Sequence, residues 1–546
     1  MRKKRILFVV PHEDDEINLA GDLLNRFSEE GYDVFVVYTT NGDYEFKAET
    51  RVSEALRALA TLGVSSENVF FLGYGDMLNY SCNPHIFSAH NPTVSPAGYT
   101  RTYGTKYKAD YRYQCAKTHH LYTRENYLRD LKNAILQIKA EIIFVVDYDE
   151  HADHRMVSLA FDSVMGEILK KDCNYKPDIY KGFAYSTAFK APKDFYSINV
   201  LETRIDGTQN DLIGTSLYQW KERIRFPVGL KARGHFLFNN IIFRSLCKHV
   251  SQSAGLKAES IINSDKVFWQ RRSDSLSYCA SIHVSSNREI SYRLNDFMIY
   301  NTKDIDSKIP DLSEYYWYPE SDDKSKSITF TWDEKKEVRY IKIFTNINND
   351  SKIKKLKISF DDGFTFLATD FPDNGAPVDI ILEESHQIKK CTITILEWIG
   401  VMYGIAECEF YKEIHTTSYI SPFIKITIDD NFVYNYLLEN KDRSIKYTIY
   451  RFGVNRSDKI KLRVIKGNGN IDIDNSRIIV HSNVLIVRAE LAEHPEIFDE
   501  IVLRKRSRMY INTLSILRRI EKYALKFILR LGRKYIYLRK KYINDI

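Results

Sequence analysis

Two short segments of the chain carry side chains that can do hydrolytic chemistry together. One is His12-Glu13-Asp14-Asp15, directly after the apolar run Ile6 to Val10. The other is His151-Ala152-Asp153-His154, shortly after the apolar run that ends at Val146. Taken singly, each has an ordinary explanation. Acids cap a helix N-terminus and suit its dipole, and histidines are common in polar surface loops. Taken together, a His, an Asp and a His on two convergent loops supply three nitrogen and oxygen ligands to a zinc ion and leave its fourth position open. Zinc brings the pKa of a bound water to about 7. Asp14, a further carboxylate beside a ligand, is placed to take that water's proton.

The surrounding pattern says what must position these loops. Arg5 to Val10 reads as a continuous buried strand. Ile17 to Glu30 has a helical apolar period and stops at Gly31. Val34–Tyr38, Asn68–Leu72 and Glu141–Val146 read as further strands. Ala48–Leu62, Thr123–Lys139 and His154–Lys170 read as helices. Strands separated by helices predict a Rossmann-like α/β domain with a mostly parallel sheet covered on both faces. Loops at the carboxyl ends of such strands are where functional groups gather. From Met77 to Tyr122 the periodicity disappears; a loop this long is a substrate lid or a disordered insertion.

The residues resemble a known family. Pro11-His12-Glu13-Asp14-Asp15-Glu16 is similar to the A-H-P-D-D-E motif of the PIG-L/LmbE zinc N-deacetylases, and His151-Ala152-Asp153-His154 to their H-P-D-H. Thr40-Asn41-Gly42-Asp43, the pair Arg51 and Glu54, and His249-Val250-Ser251-Gln252 match in order and spacing. The resemblance spans roughly residues 1–272. It implies His12, Asp15 and His154 as ligands of Zn2+ (with Fe2+ as the alternative metal) and Asp14 as general base. It further implies His151 as oxyanion donor or leaving-group acid, Asp153 as the group that orients His151, and Arg51 and Asp76 as substrate contacts. Glu13 and Ala152 stand where the family has prolines. Asp147, Asp149 and Glu150 surround His151 with negative charge, which predicts a raised pKa for it.

After about Arg272 short alternating runs appear, among them Ser327–Trp332, Val338–Phe344 and Cys391–Leu396, separated by turns such as Asp361-Asp362-Gly363. This predicts β-sandwiches. The first, over residues 273–415, resembles discoidin-type, galactose-binding-like modules; the second, over 416–488, is read as a small Ig-like domain. A basic amphipathic helical tail is expected over 489–546. From Leu503 onward there are fourteen Lys and Arg against Glu521 and Asp545, a charge of +12 in a chain that totals +7, so everything before it carries −5. Leu517, Ile520, Ala524, Phe527, Leu531, Tyr535 and Leu538 step by three and four, with Arg518, Lys522, Lys526, Arg530 and Arg533 on the other side. Such a helix suits an anionic membrane surface; the alternative is a helix packed on its own β-domain with a solvated basic face.

Other features bound the reading. The composition, 44% hydrophobic and 28% charged, is globular. Seven scattered cysteines without a C-x-x-C pair argue against a disulfide framework or a cysteine zinc site. No apolar run approaches the ~18 residues of a spanning helix, and the apolar run at the N-terminus ends too soon, without a cleavage site, to be a signal peptide. A cytoplasmic enzyme, peripheral at the inner face of the membrane, follows. No nucleic-acid recognition motif accompanies the basic tail. The combined expectation is a zinc-dependent deacetylase acting on an N-acetylhexosamine of a lipid-linked or nucleotide-linked glycan precursor, in surface polysaccharide or glycolipid biosynthesis. Its rivals are a zinc amidase on a thiol conjugate or secondary metabolite, and a catalytically idle glycan-binding protein.

Overall fold

The computed structural model describes residues 3–77, 86, 89–149, 151–184, 218–232, 234, 236–256, 265–299, 315–346, 350–372, 376–401, 403–416, 418–428, 436–438, 443–454 and 457–543. The first domain is built on strands β1 (Arg5–Val10), β2 (Asp33–Thr40), β3 (Val69–Tyr74), β4 (Ile142–Val146), β5 (Asp178–Gly182), β6 (Ile224–Phe226) and β7 (Lys266–Arg271). They form one seven-stranded sheet in the order β3-β2-β1-β4-β5-β7-β6. The first five are parallel, and β7 and β6 add an antiparallel edge. The strand period of two divides β1 between two cores. Ile6, Phe8 and Val10 point to one face with α1 (Asp15–Ala20), α2 (Leu23–Glu29) and α3 (Ala48–Thr61). Leu7 and Val9 point to the other with α5 (Arg124–Ile138) and α6 (Ala152–Lys171). A strand buried on both faces must be apolar throughout, which is why β1 and β4 read as unbroken apolar runs.

One expected helix is two. The pattern from Ile17 to Glu30 breaks at Gly21, whose φ is +58° and whose missing side chain leaves room for Lys266, 2.2 Å from where a Cβ would stand. The region 77–122 is not a free loop where it is described. It contains the short helix α4 (Tyr111–Ala116) and is tied to the sheet edge by Tyr103 N–H donating to Gly73 O, 3.2 Å, and to α5 by His120 and Asp130, 2.9 Å.

After α7 (Ile241–Leu246) the chain becomes β-rich. Strands β8 (Ser281–Val284), β9 (Ser327–Thr345), β10 (Lys352–Phe360), β11 (Thr365–Ala368), β12 (Val378–Ile399) and β13 (Ile405–Tyr411) pair antiparallel in one sheet. The two long strands break register at Ile381/His386 and Ile388/Lys390. Both halves of β9 nevertheless bury side chains in one core around Trp317 and Trp332, so the sheet curls over itself as a sandwich. A further sandwich has two four-stranded sheets around a shared core. One holds β14 (Phe423–Ile428), β16 (Arg443–Phe452), β18 (Gly469–Asp472) and β19 (Arg477–Val480). The other holds β15 (Tyr436–Leu438), β17 (Ile460–Lys466), β20 (Val484–Leu491) and β21 (Phe498–Arg506).

The expected tail boundary at 489 is corrected here. Residues 498–506 form β21, with Ile501, Leu503 and Lys505 buried and Arg504 exposed. Helix α8 (Arg508–Ile543) then returns to the first domain. Leu525 enters that domain's core, and Ile511 and Leu514 pack on Phe236. The Glu521 carboxylate accepts the N–H groups of Leu237 and Phe238 at 2.9 and 3.1 Å. Among the described residues no helix is long and apolar enough to cross a membrane.

The sandwiches also lean on the first domain through polar contacts. Arg271 on β7 is buried and ion-pairs with Glu409 on β13, while its other nitrogen donates to Phe297 O at 3.2 Å. Asp178 accepts from Ser418 Oγ and Tyr419 N–H at 2.7 and 2.6 Å. Removing one member of a buried ion pair leaves the other charge uncompensated, at a cost of about 3–5 kcal/mol. Arg271→Met is therefore expected to lower the denaturant midpoint strongly, and adding Glu409→Leu to restore most of it. Equal midpoints for Arg271→Met and the native chain would show that the pair does not join the domains.

Candidate functional site

The site lies at the carboxyl ends of β1 and β4, where two loops meet. After β1, Pro11 O is held by the N–H and Oγ1 of Thr40, at 3.1 and 2.8 Å, and the chain turns sharply through residues 12–15 into α1. Asp14 takes φ +126°, a conformation that side chains rarely adopt. Such backbone costs about 1–3 kcal/mol and persists only where its surroundings enforce it. The enforcing groups are identifiable. Asp14 N–H donates to Glu16 Oε2 at 2.8 Å, and Arg51 donates to Glu13 O and reaches Asp14 Oδ1 at 3.4 Å. After β4, His151 caps α6: its Nδ1 accepts the Asp153 N–H at 3.2 Å. The first turn of α6 then carries Asp153 and His154 into the crevice.

The three expected ligands come together. Asp15 Oδ2 lies 3.0 Å from His12 Nδ1 and 3.1 Å from His154 Nε2, and all three residues are buried. Asp149, which the sequence offered only as background charge, sits behind His154, with Oδ2 2.7 Å from Nδ1. A carboxylate on the far nitrogen of a histidine is the arrangement that orients metal ligands, and a search for an acid near each candidate His would have found it. His12 Nε2 has its own carboxylate neighbours, Asp153 Oδ2 at 3.0 Å and Asp76 Oδ1 at 3.7 Å. His12, His151 and His154 offer nitrogens within 4.8 Å of one another, as do His12, Asp76 and Asp153 their ligand atoms. Two imidazoles and a carboxylate in a buried crevice, with more carboxylates behind them than cations, fit a divalent transition ion.

The electrostatics follow from burial and these neighbours. Burial pushes the Asp15 carboxyl up, but His154 and His12 beside it outweigh this and hold it well below the usual range. Burial favours neutral His154, yet Asp149 and Asp15 raise its pKa to about 10. His12 is likewise raised, against burial, by Asp76, Asp15 and Asp153. Glu13 is pushed up to about 8 by burial, with Arg51 opposing.

Three expectations change. His151 is not made more basic: burial, then the nearby His12 and His154, lower its pKa to about 4. The acids meant to raise it are engaged elsewhere, Asp147 with Ser158, Tyr218 and Lys181, and Asp149 with His154, while Glu150 lies outside the described residues. Because His151 Nδ1 accepts a hydrogen bond, its neutral ring carries the proton on Nε2. The Asp153 carboxylate was expected on His151 but contacts His12 and accepts the Met77 N–H at 3.1 Å, while the His151 ring accepts the backbone N–H of Asp153. Arg51, expected at the substrate, is only 6% exposed, with its guanidinium on Glu13, Asp14 and Gly42 O. It braces the strained turn.

The remaining motif matches converge as supports. His249 Nε2 pairs with Glu16 Oε1 at 2.8 Å, and Ser251 binds Glu54 through N–H and Oγ. Asp43 accepts Asp76 N–H at 2.8 Å and the Tyr103 hydroxyl. Gly42 has φ +56°, and a Cβ there would stand 2.2 Å from Glu13 Oε2 and 2.8 Å from Arg51 Cζ. Gly31 also has positive φ but meets nothing within 4 Å. Both alanine variants carry backbone strain, whereas Gly42→Ala alone must displace the Glu13–Arg51 pair, adding about 1–3 kcal/mol. Gly42→Ala is expected to unfold at a lower denaturant concentration than Gly31→Ala, and coincident curves would remove the bracing role of that pair.

With the geometry in place, the chain can be set beside known proteins. Residues 7–165 match the PIG-L family, described as GlcNAc-PI de-N-acetylase, and residues 285–411 match a domain of unknown function, DUF7402. A probable N-acetylglucosaminyl-phosphatidylinositol de-N-acetylase of Dictyostelium discoideum is 32% identical over 69 residues. That stretch is 13% of this chain and only 27% of the relative, so the chain matches about a quarter of that protein's length. Among solved structures, the N,N'-diacetylchitobiose deacetylase of Pyrococcus horikoshii aligns with 19% identity over 32% of this chain and 52% of that one, TM-score 0.21. CpGH89CBM32-6 of Clostridium perfringens aligns with 21% identity over 25% of this chain and 94% of that one, TM-score 0.18. The N-terminal part of this chain, with the His12–Asp15 turn and the first turn of α6 inside it, carries a PIG-L family domain.

Proposed function

We propose that this chain is a zinc-dependent deacetylase that hydrolyses the N-acetyl group of an N-acetylhexosamine on a lipid-linked or nucleotide-linked glycan precursor. The observation that carries this is the convergence of His12, Asp15 and His154 beside a carboxylate, Asp14, on an enforced, strained turn. His12, Asp15 and His154 would hold the zinc, or alternatively ferrous iron. When bound, the ion supplies Lewis acidity and makes water nucleophilic near neutral pH. Asp14 accepts the proton of the attacking water. His151 presents Nε2–H as a neutral donor to the amide oxygen as negative charge develops there. Asp14 then delivers that proton to the amide nitrogen, the C–N bond breaks, and acetate and the amino sugar leave. A concavity of about 570 Å3 beside Asp43 supports a sugar substrate. Tyr99 and Tyr103 stack at 4.1 Å along it and Tyr44 stands exposed at its edge, rings of the kind that pack against pyranose faces. Tyr99 and Tyr103 come from the 77–122 region, which favours its reading as a substrate-binding segment.

Mass spectrometry of N-acetylglucosaminyl-phosphatidylinositol and nucleotide-linked N-acetylhexosamines incubated with the chain tests the reading: loss of one acetyl group, with acetate released, is expected. A different leaving acid would point to the amidase alternative. Asp14→Asn should keep its metal and lose about 10²–10⁴-fold in rate, while His154→Ala should lose the metal. Wild-type zinc content in His154→Ala, or a near-native rate in Asp14→Asn, would break the assignment.

Helix α8 supports a peripheral membrane position. Its docked face uses Ile511, Leu514, Glu521 and Leu525, and Arg518 is buried with them, not on the basic face. The opposite side leaves Ile520 59% and Phe527 64% exposed, with Leu517 and Leu531 in the same stripe and Arg519, Lys526 and Arg530 beside them. Tyr535 and Leu538 lie where no side chains are described. Apolar insertion area flanked by cations, each contributing about 1 kcal/mol, fits an anionic bilayer surface. Truncation at Leu503 would cut β21, so the informative variant is Ile520→Glu/Phe527→Glu/Leu531→Glu, which spares the docked face. It should no longer sediment with phosphatidylserine-containing vesicles at low salt, while hydrolysis of a water-soluble amide persists. Sedimentation equal to the native chain would return α8 to a purely structural role.

A further inference from the structure

A second cavity, of about 630 Å3, lies between the PIG-L domain and the first sandwich. The catalytic reading does not use it. Its wall on the first domain comes from residues just after β4, from α6, β5 and β7; the facing wall comes from β9, β12 and β13. Three features define what it can hold. The first is charge that cancels locally. Lys181 pairs with Asp162 and Asp147 at 2.8 and 3.2 Å, Arg271 with Glu409, and Lys342 lies 3.7 Å from Asp379. A polyanion would find no excess of cations there. The second is aromatic area, with Tyr148, Tyr218, Trp269 and Tyr340 among the lining residues. The third is hydrogen-bonding capacity at the rim, where Gln270 and His415 are exposed and Asp379 is about half exposed. Inside, Arg271 Nε is buried without a hydrogen-bond partner among the described residues. Ionic groups that neutralise one another, set among aromatic rings at a domain boundary, suit a neutral, hydroxyl-rich ligand better than an apolar or a phosphorylated one.

We propose that this interdomain cleft is a carbohydrate subsite that holds a neutral oligosaccharide portion of the substrate, away from the sugar that loses its acetyl group. The assignment to substrate rests on the deacetylase reading; the binding of a glycan in the cleft does not. Asp147 and Tyr148 line the cleft and lie four and three residues before His151, so one loop borders both places. A glycan seated in the cleft is thereby held next to the loop that leads into His151, and its binding energy would favour longer glycans over single sugars.

The probes are N-acetylchitopentaose and N-acetylglucosamine, with Gln270→Ala/Asp379→Ala and, separately, His415→Ala as rim variants. Binding is measured calorimetrically in the Asp14→Asn background, which prevents turnover, and unfolding midpoints are compared to confirm the fold. Losing two hydrogen-bonding groups should weaken pentamer binding about tenfold and raise KM for the pentamer by a similar factor in the active chain. kcat and the kinetics on the monomer should stay unchanged. Native pentamer affinity in both variants, or no pentamer binding by the native chain, would overturn the subsite. Weakened pentamer binding by the variants, with no acetate released from any substrate by the native chain, would uphold the cleft and reject the deacetylase reading instead.

Discussion

Much of this structure follows from the cost of burying carboxylates. Glu13, Asp14, Asp15, Glu16, Asp43, Asp76 and Asp153 are all buried within or around one crevice at the carboxyl edge of the parallel sheet. Removing an ionised carboxylate from water is costly unless it is paired and hydrogen-bonded. The chain meets that requirement with a small set of partners. Arg51 serves Glu13 and Asp14; His12 and His154 flank Asp15; His249 meets Glu16; backbone N–H groups serve Asp43 and Asp153. The acids still outnumber the cations. The same excess that makes the crevice expensive for an empty protein makes it a strong host for a divalent ion.

That arrangement explains why the supporting residues come from so far along the sequence. The turn from β1 into α1 is too short to enforce the Asp14 backbone by itself. Its restraint is delivered by Arg51 from α3, and by Glu16 in turn fixed by His249. A positive φ at Asp14, the proposed general base, is the kind of strain that persists only where the surroundings enforce it. The helix start after β4 does the complementary work. It orients His151 by the backbone N–H of Asp153 and leaves the Asp153 carboxylate for His12.

The additional domains share the first domain's core and polar contacts. Phe423 and Phe452 of the second sandwich pack into the face of the sheet that holds α1 to α3, and α8 adds Leu525 to the same cluster. Glu521, one of two acids in the basic C-terminal segment, serves the N–H groups that open the turn before α7. Helix α8 is therefore amphipathic in two senses at once. One side is bound to its own protein, and another keeps apolar residues among cations.

The candidate site of this protein was legible in its sequence because it depends on residue type and local spacing. A strand ending in His12-Glu13-Asp14-Asp15 and another followed by His151-Ala152-Asp153-His154 point to the crevice where these side chains meet and to the parallel sheet that holds it. Strand and helix periods are local and survive without a partner in view. The free stripe of α8 was legible for the same reason. What the sequence left undecided depends on groups distant in the chain. Which carboxylate stands behind which histidine was decided by tertiary contacts: Asp149 stands behind His154, and Asp153 lies on His12 where it had been expected on His151. Arg51 faces the turn and not the opening because Glu13 and Asp14 are the nearest acids in space. The end of the last sandwich at Arg506 was hidden because β21 alternates buried and exposed residues within a run whose basic composition suggested a tail. Pairing, burial and desolvation act between elements, and only the folded chain brings those elements together.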